Sequence, residues 1–381
     1  MATITGARGT GNISASVRKI DMREGISLLE PDAAPLTQLS AKLRKRPTHN
    51  PEYSWQEDAL EVRFDLTNGA VAGTTATSVV VDNGANFAEH DMIRVTRTKE
   101  NMRVTAVAGN TLTVVRGVGS TAAALNDNEE LLNIGSGQPE GDTSKPARSS
   151  NPTKYTNYTQ IIRTPWESTE TLIHSDTFTT PTDWDYQAKK KGIEHKKDLE
   201  YVFLLGTPSE NTTGSQPRRT SGGAYHYATA NQTDAGGALT ETELWAALRP
   251  AYRYGSKTKV AFCSPLAISV LQTYPAGKLQ VNQSETTYGL KVMNFASPFG
   301  VMRIIPHWLL EGTTLGGHIL ILDMDQITQR PLANEKGSRD THIRTEIQAP
   351  DADTRKDEYL TETGLEFGSA QAHGLIYNIT S

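Results

Sequence analysis

Leu60, Val62, Phe64 and Leu66 alternate with polar residues, the period of a strand, so residues 49–66 read as extended. From 71 to 135 the pattern breaks into short β-branched runs, TSVVVDNG, MIRVTR, MRVTAVAGNTLTVVRG and ELLNIG, separated by turn residues. Gly109-Asn110 marks a hairpin, and several short strands in one island predict a small barrel or sandwich. A Gly-, Ser- and Pro-rich linker follows, and then YTNYTQIIRTPW (155–166) resumes the extended pattern. The island is thus inserted between two extended arms that can pair as one long hairpin.

Between Pro181 and Gly206 the period becomes helical. Thr182 is the expected N-cap, Asp183 and Asp185 complement the helix dipole, and Gly206 supplies the stop. Trp184, Ala188, His195, Leu199 and Val202 fall on one face, with Tyr186, Ile193 and Leu204 roughly opposite. The middle is very polar, which suits an exposed or shared helix, and Gly192 in it marks either a close approach by another element or nothing. Residues 207–239 read as a polar loop. Thr240-Glu-Thr-Glu243 is a capping box that opens a helix with Leu244, Trp245 and Leu248. Lys259 to Cys263 is a strand, Ser264-Pro265 opens a second helix, and strand-like runs continue from Lys291 to Ile379.

Composition changes this picture little. The balance of 38 Lys and Arg against 43 Asp and Glu is spread along the chain, so no basic domain points to sequence-specific nucleic-acid binding. One cysteine, Cys263 in the apolar run VAFC, excludes an internal disulfide and reads as a buried thiol. No apolar run has transmembrane length, and the N-terminus lacks a signal-peptide core. The start, residues 1–48, reads as an arm: Gly- and Ser-rich, then short apolar patches broken by Pro, then Lys42, Arg44, Lys45 and Arg46.

A search for chemistry returns little. There is no P-loop, no G-x-S-x-G and no H-E-x-x-H; GARGTG (6–11) follows no strand, and the nine His are scattered. No metal, cofactor or catalytic residue is expected. Asp323 and Asp325 form the one candidate carboxylate pair, although two solvated acids at a strand end are the better reading. Arg218 and Arg219 sit in a Gly-rich loop, there to hold phosphate or a neighbouring carboxylate, that of another subunit included, or simply as exposed arginines. Lys189, Lys190, Lys191, Lys196 and Lys197 crowd the long helix. They face a polyanion or pair with acids, Lys190 with Glu194 and Lys196 with Glu200 at i,i+4 spacing.

The wording NYTQII (157–162), HKKDLEYVFLLG, PRRTSGG, ETELWAALRPAYRYG and EYLTETGLEFGSAQAHGLIYNI resembles the SU-ten-like family of phage major capsid proteins. The order of parts is similar to the Hong Kong 97-type fold. That resemblance implies an α+β chain with an N-terminal arm (1–48) and an extended E-loop (49–70 and 136–165) carrying an inserted β domain (71–135). It further implies a peripheral domain with the spine helix 183–205 (166–206 and 331–381) and an axial domain (207–330). The implied function is a non-enzymatic subunit that self-assembles into hexamers and pentamers of an icosahedral head around packaged double-stranded DNA. The implied partners are a separate scaffolding protein, a portal and a decoration protein, with assembly in the bacterial cytoplasm and no membrane. Trp55, Val62, Phe64, Ile161 and Ile162 in the hairpin would wait for neighbouring subunits. Two alternatives remain: another virion component such as a tail or receptor-binding protein, and a hydrolase using Asp323 and Asp325.

Overall fold

A computed structural model describes residues 35–40, 44–143, 148–175, 183–273, 282–287, 290–312, 314–335 and 337–380. GARGTG, most of the arm and the expected cap Thr182 lie outside them. The chain divides into two compact units, one being Gln56–Lys154 and the other the remainder.

The smaller unit is all β. Its strands lie in the order Phe64–Leu66, Glu130–Ser136, Asp91–Val95, Asn101–Ala108, Thr111–Val115, Ser78–Val80. The two outer strands then meet: Thr67 bridges Val81, Asn68 N–H donates to Val80 O (2.9 Å), and Asp82 N–H donates to Leu66 O (3.1 Å). The sheet therefore closes into a six-stranded barrel, which removes the free edges an open sheet would expose. Alternate residues point inward, and Val79, Ile93, Val95, Met102, Val104, Leu112, Val114 and Leu131 fill the lumen. Gly109 takes φ +59° in the two-residue hairpin, a left-handed conformation that glycine adopts without a Cβ penalty. The sequence boundaries 71–135 leave out Phe64–Leu66 and Ser136, which are part of this sheet.

One buried carboxylate organises the barrel's longest loop. Glu100 is fully buried and takes both Arg116 Nε (2.7 Å) and Nη2 (2.8 Å), with Gly117 N–H and Ala123 N–H completing its shell. Burial raises its pKa, but Arg116 and the two amides outweigh that, so the carboxyl is held below the ordinary range.

In the larger unit a seven-stranded mixed sheet runs Gln232–Gly237, Gly374–Ile379, Ile319–Leu322, Thr258–Cys263, Gly300–Pro306, Leu290–Ser297, Asn282–Thr287. Val260 and Phe262 feed one core with Leu320, Leu322 and Ile305; Ala261 and Cys263 feed another with Ile319, Ile321 and Ile304. Both faces are covered, which is why VAFC and ILIL read as continuous apolar runs. Glu241–Arg253, opened by the expected capping box at Thr240, covers the second face with Pro265–Gln272. Gln232–Gly237, expected as loop, is an edge strand paired in parallel with Gly374–Ile379. It carries one apolar side chain, Ala235, so no hydrophobic period betrays it. Its partner strand, grouped by sequence with 331–381, thus belongs to the sheet of the 207–330 region.

A second sheet is built on the 14-residue strand Thr354–Phe367. Gln160–Thr169 pairs along its Thr354–Thr363 stretch, while His342–Arg344 and Ile327–Pro331 share the opposite edge. Of the expected long hairpin only a short pair forms, Glu52–Glu57 with Thr153–Tyr158; Phe64–Leu66 joins the barrel and Gln160–Thr169 pairs with Thr354–Phe367 instead.

Two outcomes follow for the barrel. Expressed alone, residues 56–154 should give a β-type spectrum and a cooperative melt. In the full chain, Glu100→Gln should destabilise the barrel by ~3–5 kcal/mol, because Arg116 is left buried without its counter-charge. The wild-type stabilisation from Glu100 is complete above the unfolded carboxyl value of 4.5 and is lost as pH falls through the lower folded value. Hydrogen exchange of strands 101–115 reads both effects; unchanged protection in Glu100→Gln would contradict them.

Candidate functional site

The long helix spans Asp183–Leu205 and packs on the second sheet. The Trp184 ring lies tilted against Trp166 (5.8 Å between ring centroids), and Trp166 lies 5.0 Å from Tyr359. His195 is buried between Thr164 Oγ1 (2.8 Å to Nδ1) and Thr361 Oγ1 (2.7 Å to Nε2). Burial holds its pKa below the ordinary histidine value. Gly192 marks a close approach: a Cβ there would stand 3.2 Å from Tyr359 Oη, which donates to Ala188 O.

The expected two-faced burial does not hold in the last turns. Glu200, Phe203 and Leu204 are buried with His195 and Leu199, because this end of the helix joins the core of the seven-stranded sheet. Glu200 therefore does not pair with Lys196. It accepts from the main chain of Leu36 and Thr37 and from His307 instead. Glu194 takes Lys191 (2.6 Å) rather than Lys190. Lys189, Lys190 and Lys196 are exposed, and Lys191 and Lys197 are half-buried.

Arg218 and Arg219 begin the strand Arg218–Thr220, which pairs with Ser209–Asn211. Arg219 Nε lies 2.7 Å from Glu210, and Arg218 is exposed. The glycines beside them serve packing. A Cβ on Gly206 would lie 2.2 Å from Ser221 O, and one on Gly223 2.7 Å from the Leu204 backbone. The helix end and the PRRTSGG segment touch backbone to backbone, which no larger residue permits.

That segment also meets NYTQII and TGLEF. The fully buried Asn157 donates to Gly222 O (3.1 Å) and Leu365 O (2.7 Å), and its carbonyl accepts Gly222 N–H (2.7 Å). Gln160 accepts Ser221 N–H (3.0 Å), and Tyr53 Oη adds a second bond to Leu365 O. Three stretches distant in sequence are knotted at one amide side chain.

Asp323 and Asp325 are not a solvated pair. Asp323 is fully buried, 3.2 Å from the equally buried Lys259 Nζ, and accepts from Ser256 N (2.6 Å), Ser256 Oγ (3.0 Å) and Asp325 N (3.2 Å). Lys259 also donates to Tyr254 O and Ala372 O. Every contact of Asp323 and Lys259 is spent on holding strand ends together, whereas Asp325 is exposed. Burial raises the Asp323 pKa, but Ser256 and Lys259 outweigh it and hold the carboxyl below its usual range. Burial also depresses Lys259 and pushes His373 down to about 4. His373 Nδ1 accepts Asp323 N–H (3.1 Å), which places the ring proton on Nε2 toward Gly368 O (3.2 Å). Cys263 is buried, its thiol pushed far up by desolvation. Among the described residues no group of three or more His, Cys, Asp or Glu is placed to hold a metal ion, and no helix is long and apolar enough to cross a membrane.

The family model for the SU10 major capsid protein matches residues 3–380. A major capsid protein of Pseudomonas phage PaMx41 is 26% identical over 273 residues, 68% of this chain and 65% of that protein; the match thus spans under two thirds of that relative's length. Among solved structures, a chain from Mycobacterium phage Bobi aligns over 95% of this chain and 96% of its own, at 9% identity and TM-score 0.49. The capsid of a native GTA particle aligns over 96% and 97%, at 8% identity and TM-score 0.48.

Asp323→Asn should cost ~3–5 kcal/mol, because it strands a buried ammonium. Neutral His373 should make stability pH-dependent. Its contribution is full above the unfolded value of 6.5 and is lost as pH falls through about 4. A denaturant midpoint rising from pH 4 to 6.5, with a shallower rise in His373→Gln, is the expected result; His195 and His318, also depressed by burial, would supply the residual slope.

Proposed function

We propose, from the premise that this chain belongs to the SU10 major capsid protein family, that it is the shell-forming subunit of a phage head. The observation that carries this is the family match across nearly the whole chain. The knot at Asn157 supports it physically, since it joins three of the segments on which the family resemblance rests.

In this reading the subunit has a Hong Kong 97-type fold and assembles into hexamers and pentamers around packaged double-stranded DNA. Residues 1–48 are the arm, and the pair Glu52–Glu57 and Thr153–Tyr158 is the root of the extended loop. The barrel is its insertion, offered to neighbouring subunits or to a decoration protein. The second sheet with the long helix is the peripheral domain, and the seven-stranded sheet the axial one. A separate scaffolding protein and a portal complete the assembly in the bacterial cytoplasm. The chain's role in this reading is architectural; of its one candidate carboxylate pair, Asp323 is buried against Lys259 and Asp325 is exposed.

Exposed apolar residues support an assembled state. Trp308 is 61% exposed, and Ile161 and Ile343 are each 51% exposed. Val62 and Phe64 are exposed as the sequence suggested, but Trp55 and Ile162 are buried in the chain's own core and need no neighbour. Small-angle scattering and electron microscopy of the purified protein should show hexamers, pentamers or closed shells. A compact monomer at all concentrations would overturn the proposal.

The lysines of the long helix are read as facing the packaged polyanion, a contact that needs charge but no base sequence. Reversing Lys189, Lys190 and Lys191 to Glu should leave empty shells intact and make filled particles less stable or less full. Failure of empty shells to form would assign these lysines to subunit contacts.

A further inference from the structure

The arm helix Pro35–Ser40 meets the long helix at a single acidic side chain. Glu200 is fully buried, and four donors converge on its two oxygens. Leu36 N–H lies 2.8 Å and His307 Nε2 2.6 Å from Oε1; Thr37 N–H lies 2.5 Å and Thr37 Oγ1 2.6 Å from Oε2. Such a set suits an acceptor-only carboxylate. Since only a carboxylate oxygen faces His307 Nε2, that nitrogen carries a proton, and Nδ1 is left without a partner.

Three of the four donors belong to the arm, and two of those are main-chain amides at the start of its helix. Around them the arm makes further attachments. Leu36 enters the core beside Leu199 and Phe203. Farther on, the arm lies parallel to Ile327–Pro331: Gln329 N–H donates to Arg44 O (3.2 Å), and Arg46 N–H to Gln329 O (2.9 Å). Lys45 reaches Asp340 (2.6 Å) at the surface, where an ion pair contributes little. Water can replace an edge ladder at small net cost, but it cannot reach a fully buried carboxylate without the arm moving.

We propose that Glu200 and His307 form a latch that captures the arm by its backbone amides, so that the arm seats and releases as one strap while the sheets it crosses stay folded. His307 follows the strand Gly300–Pro306 and holds one carboxylate oxygen from the seven-stranded sheet. It keeps Glu200 oriented and partly satisfied when the arm's three donors are withdrawn. This goes beyond the shell-forming role and does not depend on it.

The test uses the full chain. In Glu200→Gln one oxygen becomes an amide donor facing the arm's own donors. Hydrogen exchange at Leu36 and Thr37 should speed up by roughly tenfold or more, the range of charge-assisted hydrogen bonds. Trypsin should cut faster after the exposed Arg44 and Lys45. Strands Thr258–Cys263 and Ile319–Leu322 should keep their protection. Thr37→Val removes one donor at constant shape and should give a smaller loosening at the same amides. Unchanged arm exchange in Glu200→Gln overturns the latch. So does loss of protection by arm and core strands in step, in either variant. If Glu200→Gln does not fold, Thr37→Val alone decides: local loosening upholds the proposal, and no change overturns it.

Discussion

The Asn157 side chain is the constraint on which the larger unit depends. It offers a donor and an acceptor on one short stem, and both are used on main-chain groups inside the core. Leu, Ser or Asp cannot fill all of these bonds, and each failure would leave a buried peptide group unpaired. The three segments it joins must lie closer than side chains allow. Gly222 and Gly364 therefore stand beside it, each with less than 3 Å to a neighbouring atom from any added Cβ. The polar knot and the glycines are one device: an amide that ties backbones and backbones stripped bare enough to be tied.

Much of this was legible, and the limits have physical reasons. The long helix was readable because its boundary signals and its period agree. The barrel announced itself through β-branched runs and turn residues, but its closure did not. The closing contacts run through the main chain of Leu66, Asn68, Val80 and Asp82, with Asp65 accepting Asn83 N–H as a side-chain addition, and main-chain bonds leave no mark in side-chain pattern. Gly192 was visible as an anomaly; only the fold supplied Tyr359 as its cause.

Buried charge was the least legible feature. Glu200 sits among lysines and reads as one more solvated acid, yet it is deeper than most of the leucines around it. Asp323 was misread in the same way. Local sequence describes the company a residue keeps along the chain, whereas burial of a charge is set by partners remote in sequence. Arm amides come from more than a hundred and sixty positions away for Glu200, and Lys259 from sixty-four for Asp323. A capping box or hairpin is local and was found; a buried pair of this kind is not local.

The stem from which the barrel hangs has a consequence for how the chain folds. Glu52–Glu57 and Thr153–Tyr158 pair across roughly a hundred intervening residues, and closing so long a loop from a disordered chain is slow. Within the barrel, Asp91–Val95, Asn101–Ala108 and Thr111–Val115 pair in sequence order, and its first and last strands, Phe64–Leu66 and Glu130–Ser136, hydrogen-bond to each other. A barrel that forms early brings the two ends of the stem together before either has a partner. The insertion then works as a splint: once folded, it turns the most distant strand pairing in this part of the chain into a short-range event.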